Sequence, residues 1–280
     1  MIIFKTADSL SSHLNDRRKQ GRKIAFIPTM GALHEGHLSL IDLANQAHDL
    51  TICSIFVNPT QFNNVTDYTH YPITIENDIA SLVRANCDIL FLPHKSEMYG
   101  KGYKAKHYDL GYLEDILEGR YRPGHFQGVC QVVDRLLEIV SADTMYLGQK
   151  DYQQCMVIKR LLYITNRAGK VELVVGATVR EESGLAMSSR NMRLTESQKT
   201  AAAAISKALT SVKNDIQHQP PQELINQAWI ELEREGFAID YIEIVSADTL
   251  EKATTLNQPL IALIAATTGG VRLIDNMILN

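Results

Sequence analysis

Two histidines three residues apart, His34 and His37, fall inside the stretch Ile24-Ala25-Phe26-Ile27-Pro28-Thr29-Met30-Gly31-Ala32-Leu33-His34-Glu35-Gly36-His37. An imidazole can bind a metal, donate to an anion, or simply face water. The metalloprotease pattern needs its histidines four apart on a continuous helix, with a glutamate as base. Here the order is His-Glu-Gly-His, with a glycine inside the pair, so no metal ligand is assigned. A pair of solvated loop histidines is the plain alternative. The third reading is a pair of donors aimed at a phosphate that gains charge during a reaction.

The elements around the pair favour that third reading. Residues 24–27 are a short apolar run of the kind seen in buried parallel strands. Pro28, which cannot donate to a sheet ladder, is read as the end of that strand. Gly31 and Gly36 allow tight turns or close approach to a ligand. From His37, apolar residues at Leu38, Leu40, Ile41 and Leu43 predict a helix over 37–48 with one buried face. The histidines therefore sit where a first strand hands over to a first helix. In open α/β sheets ligands bind at the carboxyl ends of the strands. A helix N-terminus there offers unpaired N–H groups to phosphate.

Composition narrows the class. The chain has 280 residues, 45% of them hydrophobic, enough for a sizeable core and about two domains. Its 28 basic and 32 acidic residues give a net charge of −4, which makes no case for nucleic acid. Cys53, Cys87, Cys130 and Cys155 form no Cys-x-x-Cys pair and read as reduced, buried cytosolic thiols. The start of the chain does not resemble a signal peptide. No apolar run reaches the ~18 residues of a membrane span.

Further strands are predicted at 51–57, 88–93, 144–148 and 171–175, the first two of these also stopping at a proline, in Asn58-Pro59 and at Pro93. Helices are predicted at 9–20, 74–86, 126–140 and 152–164. Residues 63–73 read as a polar loop and 94–124 as irregular. Strands alternating with helices mark a parallel sheet covered on both faces. The fold class is α/β, a Rossmann-like doubly wound parallel sheet over 1–176, followed by a smaller α+β C-terminal domain over 177–280. That second part reads as helices at 195–217 and 221–235, then strands at 237–245, 260–266 and 271–274, with Gly269-Gly270 as a hairpin turn.

Four more stretches fall at strand ends or in the loops between elements. They are Val57-Asn58-Pro59-Thr60-Gln61-Phe62, the run from Glu118 through Arg120, Arg122, Gly124 and His125 to Val129, Gly148-Gln149-Lys150-Asp151-Tyr152-Gln153-Gln154, and Val179-Arg180-Glu181 running to Met187-Ser188-Ser189-Arg190-Asn191. Each alone is weak. In this order, with Arg272-Leu273-Ile274-Asp275-Asn276 near the end, they cover most of the chain. The Pro-Thr-Met-Gly-Ala-Leu-His-x-Gly-His pattern resembles the histidine signature of the nucleotidyltransferase superfamily. The whole set is similar to the pantoate–β-alanine ligase family.

The resemblance implies an ATP-dependent joining of pantoate to β-alanine through pantoyl adenylate, with AMP and pyrophosphate released. It implies Mg²⁺ as cofactor, a homodimer and a cytoplasmic location, with no nucleic-acid or membrane partner. By the same resemblance Met30, Gly31, Ala32, Leu33, His34, Glu35, Gly36 and His37 line the ATP site. Gly148, Gln149, Lys150, Asp151, Val179, Met187, Ser188, Ser189 and Arg190 join them. Lys150 is the fixed cation, Asp151 fits the ribose hydroxyls, and Ser188 to Arg190 clamp the β- and γ-phosphates. Gln61 and Gln154 meet pantoate, and Gln61 also β-alanine. His37 carries a proton-donor role in the family; charge stabilisation by His34 and His37 is the alternative. Arg120, Arg122 and His125 belong to a loop that either closes over the site or is a structural lid. One departure stands out: Gln149 occupies a position where the family usually has Glu.

Two rivals remain at this level. A phosphopantetheine or nicotinate mononucleotide adenylyltransferase would share His-x-Gly-His, but has no reason to carry Gln61 and Gln154 together. A nucleotide-binding regulator would bind ATP and turn over no acid.

Overall fold

The computed structural model describes residues 1–253 and 255–280. The chain divides into two compact units. One comprises Met1–Gly148 with Gln153–Ala177, the other Gln149–Tyr152 with Thr178–Asn280.

The first unit holds a parallel sheet of six strands among the described residues. They are β1 (Ile2–Phe4), β2 (Ile24–Thr29), β3 (Leu50–Ile55), β4 (Ile89–Phe91), β5 (Thr144–Gly148) and β6 (Glu172–Gly176), in the order β1-β4-β3-β2-β5-β6. Five of them, β4-β3-β2-β5-β6, follow the Rossmann order, in which the chain winds away from β2 in one direction and resumes at β5 in the other. The switch point lies between β2 and β5. The longer helices of this unit are α1 (Ala7–Lys19), α2 (Glu35–Ala47), α3 (Ile75–Arg84), α4 (His125–Val140) and α5 (Tyr152–Ile164), the last beginning at the unit boundary.

Burial explains the strands. Ala25 and Ile27 of β2 pack with Leu40, Ile41 and Ala44 of α2 and with Leu82 of α3. Ile24 and Phe26, which point to the opposite face, are fully buried as well. A strand covered on both sides has no polar positions to alternate, which is why β2 reads as a continuous apolar run.

Several expectations need correction. Pro28 does not end its strand: β2 continues to Thr29, with Pro28 in register with Ser54 of β3. The ladder from β2 to β5 registers only at Ala25 and Phe26, so at Pro28 the strand has a neighbour on one side alone. A residue without an N–H is tolerated at such a place. β1 was not expected at all. It adds to the outer side of β4, and Ile2 and Ile3 remain 49% and 42% exposed. The stretches expected to be loops contain short helices at Val65–Thr69, Lys95–Met98 and Leu117–Tyr121.

The second unit is built on an antiparallel sheet, β7 (Ala238–Ser246), β8 (Leu260–Thr268) and β9 (Val271–Ile278), in that order. Gly269 and Gly270, both at positive φ, make the hairpin turn between β8 and β9. The expected helix over 195–217 is two, Glu196–Ala202 and α6 (Ala204–Asp215), and α7 (Pro221–Arg234) follows. Leu209, Val212, Leu224, Ala228 and Leu232 of α6 and α7 share one core with Ile242, Ile264 and Leu273 of the sheet.

Candidate active site

In the first unit the site begins where β2 gives out. Thr29 Oγ1 donates to Ser54 O at 2.7 Å and accepts from the Gly31 N–H at 3.2 Å. Gly31 and Ala32 then take positive φ, +81° and +50°. For an alanine that conformation is strained, and it persists only where neighbours enforce it. The enforcing group is Asp78 of α3, only 2% exposed. Its two carboxylate oxygens accept from the N–H of Ala32 at 3.0 Å and of Leu33 at 2.8 Å, and Thr74 Oγ1 adds a third bond at 3.0 Å. A Cβ at Gly31 would crowd both Asp78 and Ile55.

This clamp delivers His34 to the N-cap of α2 and His37 to its first turn. The rings lie 4.0 Å apart. The backbone N–H of His34 donates to His37 Nδ1 at 3.3 Å. An Nδ1 that accepts cannot carry the proton of the neutral ring, so that proton sits on Nε2. His37 is thereby set as an Nε2–H donor at the carboxyl end of the strand beside the switch point. Glu35 is exposed, while Met30, Leu33, Gly36 and both histidines are half-buried.

Gln61 is 8% exposed and held at both ends. It lies in the 3₁₀ turn Pro59–Gln61 after β3. Asn58 Oδ1 accepts from Tyr99 OH at 2.8 Å and from Thr60 Oγ1 at 3.0 Å. Its Nδ2 must then face the other way, donating to Gly128 O at 3.0 Å and to Gln61 Oε1 at 3.1 Å. With its carbonyl oxygen occupied, Gln61 presents its NH₂, which lies 3.1 Å from Met30 Sδ. Met30 and Gln61, expected at different ligands, are thus neighbours. Burial of the Tyr99 hydroxyl pushes it up to about 12, against a smaller lowering by its bond to Thr60, so it stays a donor.

The Arg-rich loop supports this turn from behind. Arg122 Nη1 lies 3.1 Å from His125 Nε2, and His125 Nδ1 lies 2.8 Å from Gln61 O. A guanidinium can only donate, so His125 accepts at Nε2 and donates from Nδ1 to the Gln61 carbonyl. Glu118, buried, approaches Arg122 at 3.6 Å. Arg120 is exposed and donates to Asp115 O. On α5 the buried glutamine is Gln153, which donates to Leu113 O and Ile116 O and accepts from the Glu118 N–H. The expected pantoate residue, Gln154, is the half-buried neighbour on the same first turn. Gly148 ends β5.

The second unit carries the remaining expected residues. Gln149–Asp151 form a single 3₁₀ turn, with Lys150 Nζ 3.5 Å from Asp151. Met187 N–H donates to Val179 O, which brings those two residues together across the tight excursion between them. Ser188 Oγ accepts from the Arg190 N–H as the cap of the 3₁₀ helix Ser189–Arg193. Asn191, 5% exposed, ties that helix back by donating to Glu181 and to Ala186 O.

Residues that hold these loops but were not among the expected site residues are Asn58, Asp78 and Tyr99. Only Asp78 left a clear signal. It lies on the apolar stripe Ile75–Ile79–Leu82 of its helix, where a carboxylate requires a buried partner.

A family model described as pantoate-beta-alanine ligase matches residues 2–278. A pantothenate synthetase from Cytophaga hutchinsonii is 44% identical over 291 residues, which cover 100% of this chain and 99% of that protein. One from Acetivibrio thermocellus is 40% identical, with 99% of each chain covered. Among solved structures, pantothenate synthetase from Thermus thermophilus superposes with a TM-score of 0.93 at 36% identity, covering 100% of this chain and 99% of that one. A pantoate-beta-alanine ligase from Francisella tularensis, complexed with beta-gamma ATP and beta-alanine, gives a TM-score of 0.84 at 39% identity, covering 99% and 97%.

Proposed function

The chain belongs to the pantoate–β-alanine ligase family, and from that premise we propose that it joins pantoate to β-alanine with ATP, through pantoyl adenylate. A pantoate carboxylate oxygen attacks the α-phosphorus. The bond from that phosphorus to the bridging oxygen breaks, and pyrophosphate departs. The β-alanine amine then attacks the acyl carbon, loses a proton, and displaces AMP.

The observation that supports this reading best is the proton assignment of His37. A neutral Nε2–H donor matches a phosphate oxygen that becomes more negative as the α-phosphorus turns five-coordinate. His34 shares that work, and Lys150 supplies the fixed positive charge. Residues 30–37 line the nucleotide in this reading. Gly148 to Asp151, Val179 and Met187 to Arg190 contribute to the same ligand, with Ser188, Ser189 and Arg190 holding the departing pyrophosphate. Gln61, whose NH₂ is the end left to donate, and Gln154 bind the oxygens of pantoate. Gln61 also receives β-alanine. The part spanning 1–176 is the nucleotide- and pantoate-binding domain, and 177–280 supplies the Met-Ser-Ser-Arg loop.

Mg²⁺ enters as part of the nucleotide substrate. Among the described residues no group of three or more His, Cys, Asp or Glu side chains could hold a metal ion. On this reading the cation is carried mainly by phosphates and water. Asp78, a buried carboxylate bonded to the histidine loop, already accepts three hydrogen bonds. The working enzyme is a cytoplasmic homodimer on this reading. Among the described residues no helix is long and apolar enough to cross a membrane.

The direct test is to mix ATP, Mg²⁺, pantoate and β-alanine with the protein. AMP and pantothenate should form together, one for one, and only when both acids are present. ADP as the nucleotide product, or ATP binding with no turnover, would refute the assignment.

A further inference from the structure

Asn276, on β9, is 2% exposed. Its Nδ2 donates to two successive carbonyls, Gln149 O and Lys150 O, each at 2.9 Å. Its Oδ1 accepts from Gln149 Nε2 at 3.3 Å. The orientation of this amide follows from its partners: flipped, it would set an oxygen against two carbonyl oxygens. All three bonds reach the turn that carries Lys150.

That turn needs such support. It is one 3₁₀ turn of three residues, with little stability of its own. Its carbonyls need partners once removed from water. Lysine is a flexible stem ending in a point charge, so where the ammonium sits depends on where its backbone is held. The neighbouring Asp275, also buried, accepts from Arg180 at 2.6 and 3.0 Å, next to Val179. One step of β9 thus fixes both the 149–151 turn and the 179–180 segment.

We propose that Asn276 is a positioning residue for Lys150, setting the place of its ammonium group by holding the Gln149 and Lys150 carbonyls. The inference rests on the charge-stabilising role given to Lys150 above. Asn276 touches no reacting atom in this scheme.

The test is a double-mutant cycle on kcat, with KM for pantoate and thermal unfolding followed in parallel. Asn276→Ala removes the bonds. Asn276→Asp keeps the size but replaces the donor by an acceptor, and it carries the cycle if the alanine variant does not fold. Either variant should lose roughly 10–100-fold in kcat, the scale of a displaced catalytic group. KM for pantoate should stay close to the parent's, while the unfolding midpoint falls because two carbonyls lose their donor. A purely structural role would show that fall without the loss in kcat. Combined with Lys150→Ala, neither should lower kcat further, since the group they position is gone. Parent-like kcat in Asn276→Asp, or losses that multiply in the double variant, would overturn the inference while leaving the role of Lys150 intact. Parent-like kcat in Lys150→Ala would remove that role and the inference with it.

Discussion

The nitrogen on which the neutral His37 ring carries its proton is decided by a backbone amide three residues earlier, whose N–H occupies Nδ1. If both histidines serve the charge that builds on the α-phosphate, His34→Ala and His37→Ala should each lower kcat by about 10²–10³, the usual loss for one transition-state donor. Affinity for ATP should fall much less. Steady-state kinetics and nucleotide titration separate the two, and near-normal turnover in both variants would defeat the assignment. Gln61 makes a different prediction, because on the proposed reading its NH₂ meets a ground-state substrate. Gln61→Ala should weaken pantoate by about 1–3 kcal/mol, the cost of leaving a polar partner unpaired, and ATP by less. Calorimetry showing equal losses for the two ligands would take Gln61 out of the pantoate contacts. The histidine pair was legible in the sequence because its motif is contiguous. Asn276 lay in a stretch that the sequence also marked, but its contact did not show, because its partner Gln149 stands 127 residues away and nothing local marks the pairing.

Among the elements, the decisive contact runs from α3 to the loop between β2 and α2. Two N–H groups and one hydroxyl converge on Asp78, and the loop they hold contains an alanine at positive φ. Asp78→Ala would strand the Ala32 and Leu33 amides, at about 1–3 kcal/mol for each buried group left unpaired. The loop should relax, so KM for ATP should rise together with the loss of stability. Chemical denaturation and kinetics on one preparation test this, and a destabilised variant with unchanged KM would mean that the clamp does not shape the nucleotide loop. Most elements could be read from periodicity, because a buried parallel strand and a one-faced helix write different patterns. The failures have physical causes. β1 is three residues long and half in water, too short to show a period. Pro28 reads as a stop only if the strand is paired on both sides there, which register decides and local sequence does not. The break after Ala202 lies in the run Thr200 to Ala204, with no glycine or proline to announce it.

For the molecule as a whole, the four cysteines are buried and form no disulfide. Burial pushes Cys53, Cys87 and Cys130 above their ordinary value of 9.0, Cys87 to about 12. The folded chain therefore keeps protons that the unfolded chain releases above pH 9. Stability contributed by these groups is whole below that pH and falls as pH rises, by about 1.4 kcal/mol per unit for each thiol ionised only in the unfolded state. Denaturant titrations at pH 8, 9 and 10 should show the decline, and a flat profile would mean that the thiols are not sealed from water in the native state. The central claim, that pantoate is activated as an acyl adenylate, is tested without the second substrate. Labelled pyrophosphate is added to the protein with ATP, Mg²⁺ and pantoate, and β-alanine is left out. Label should enter ATP, because the first half-reaction is reversible and needs no amine. No label in ATP, with ADP appearing once β-alanine is supplied, would contradict the acyl adenylate and the roles assigned to His34, His37 and Lys150.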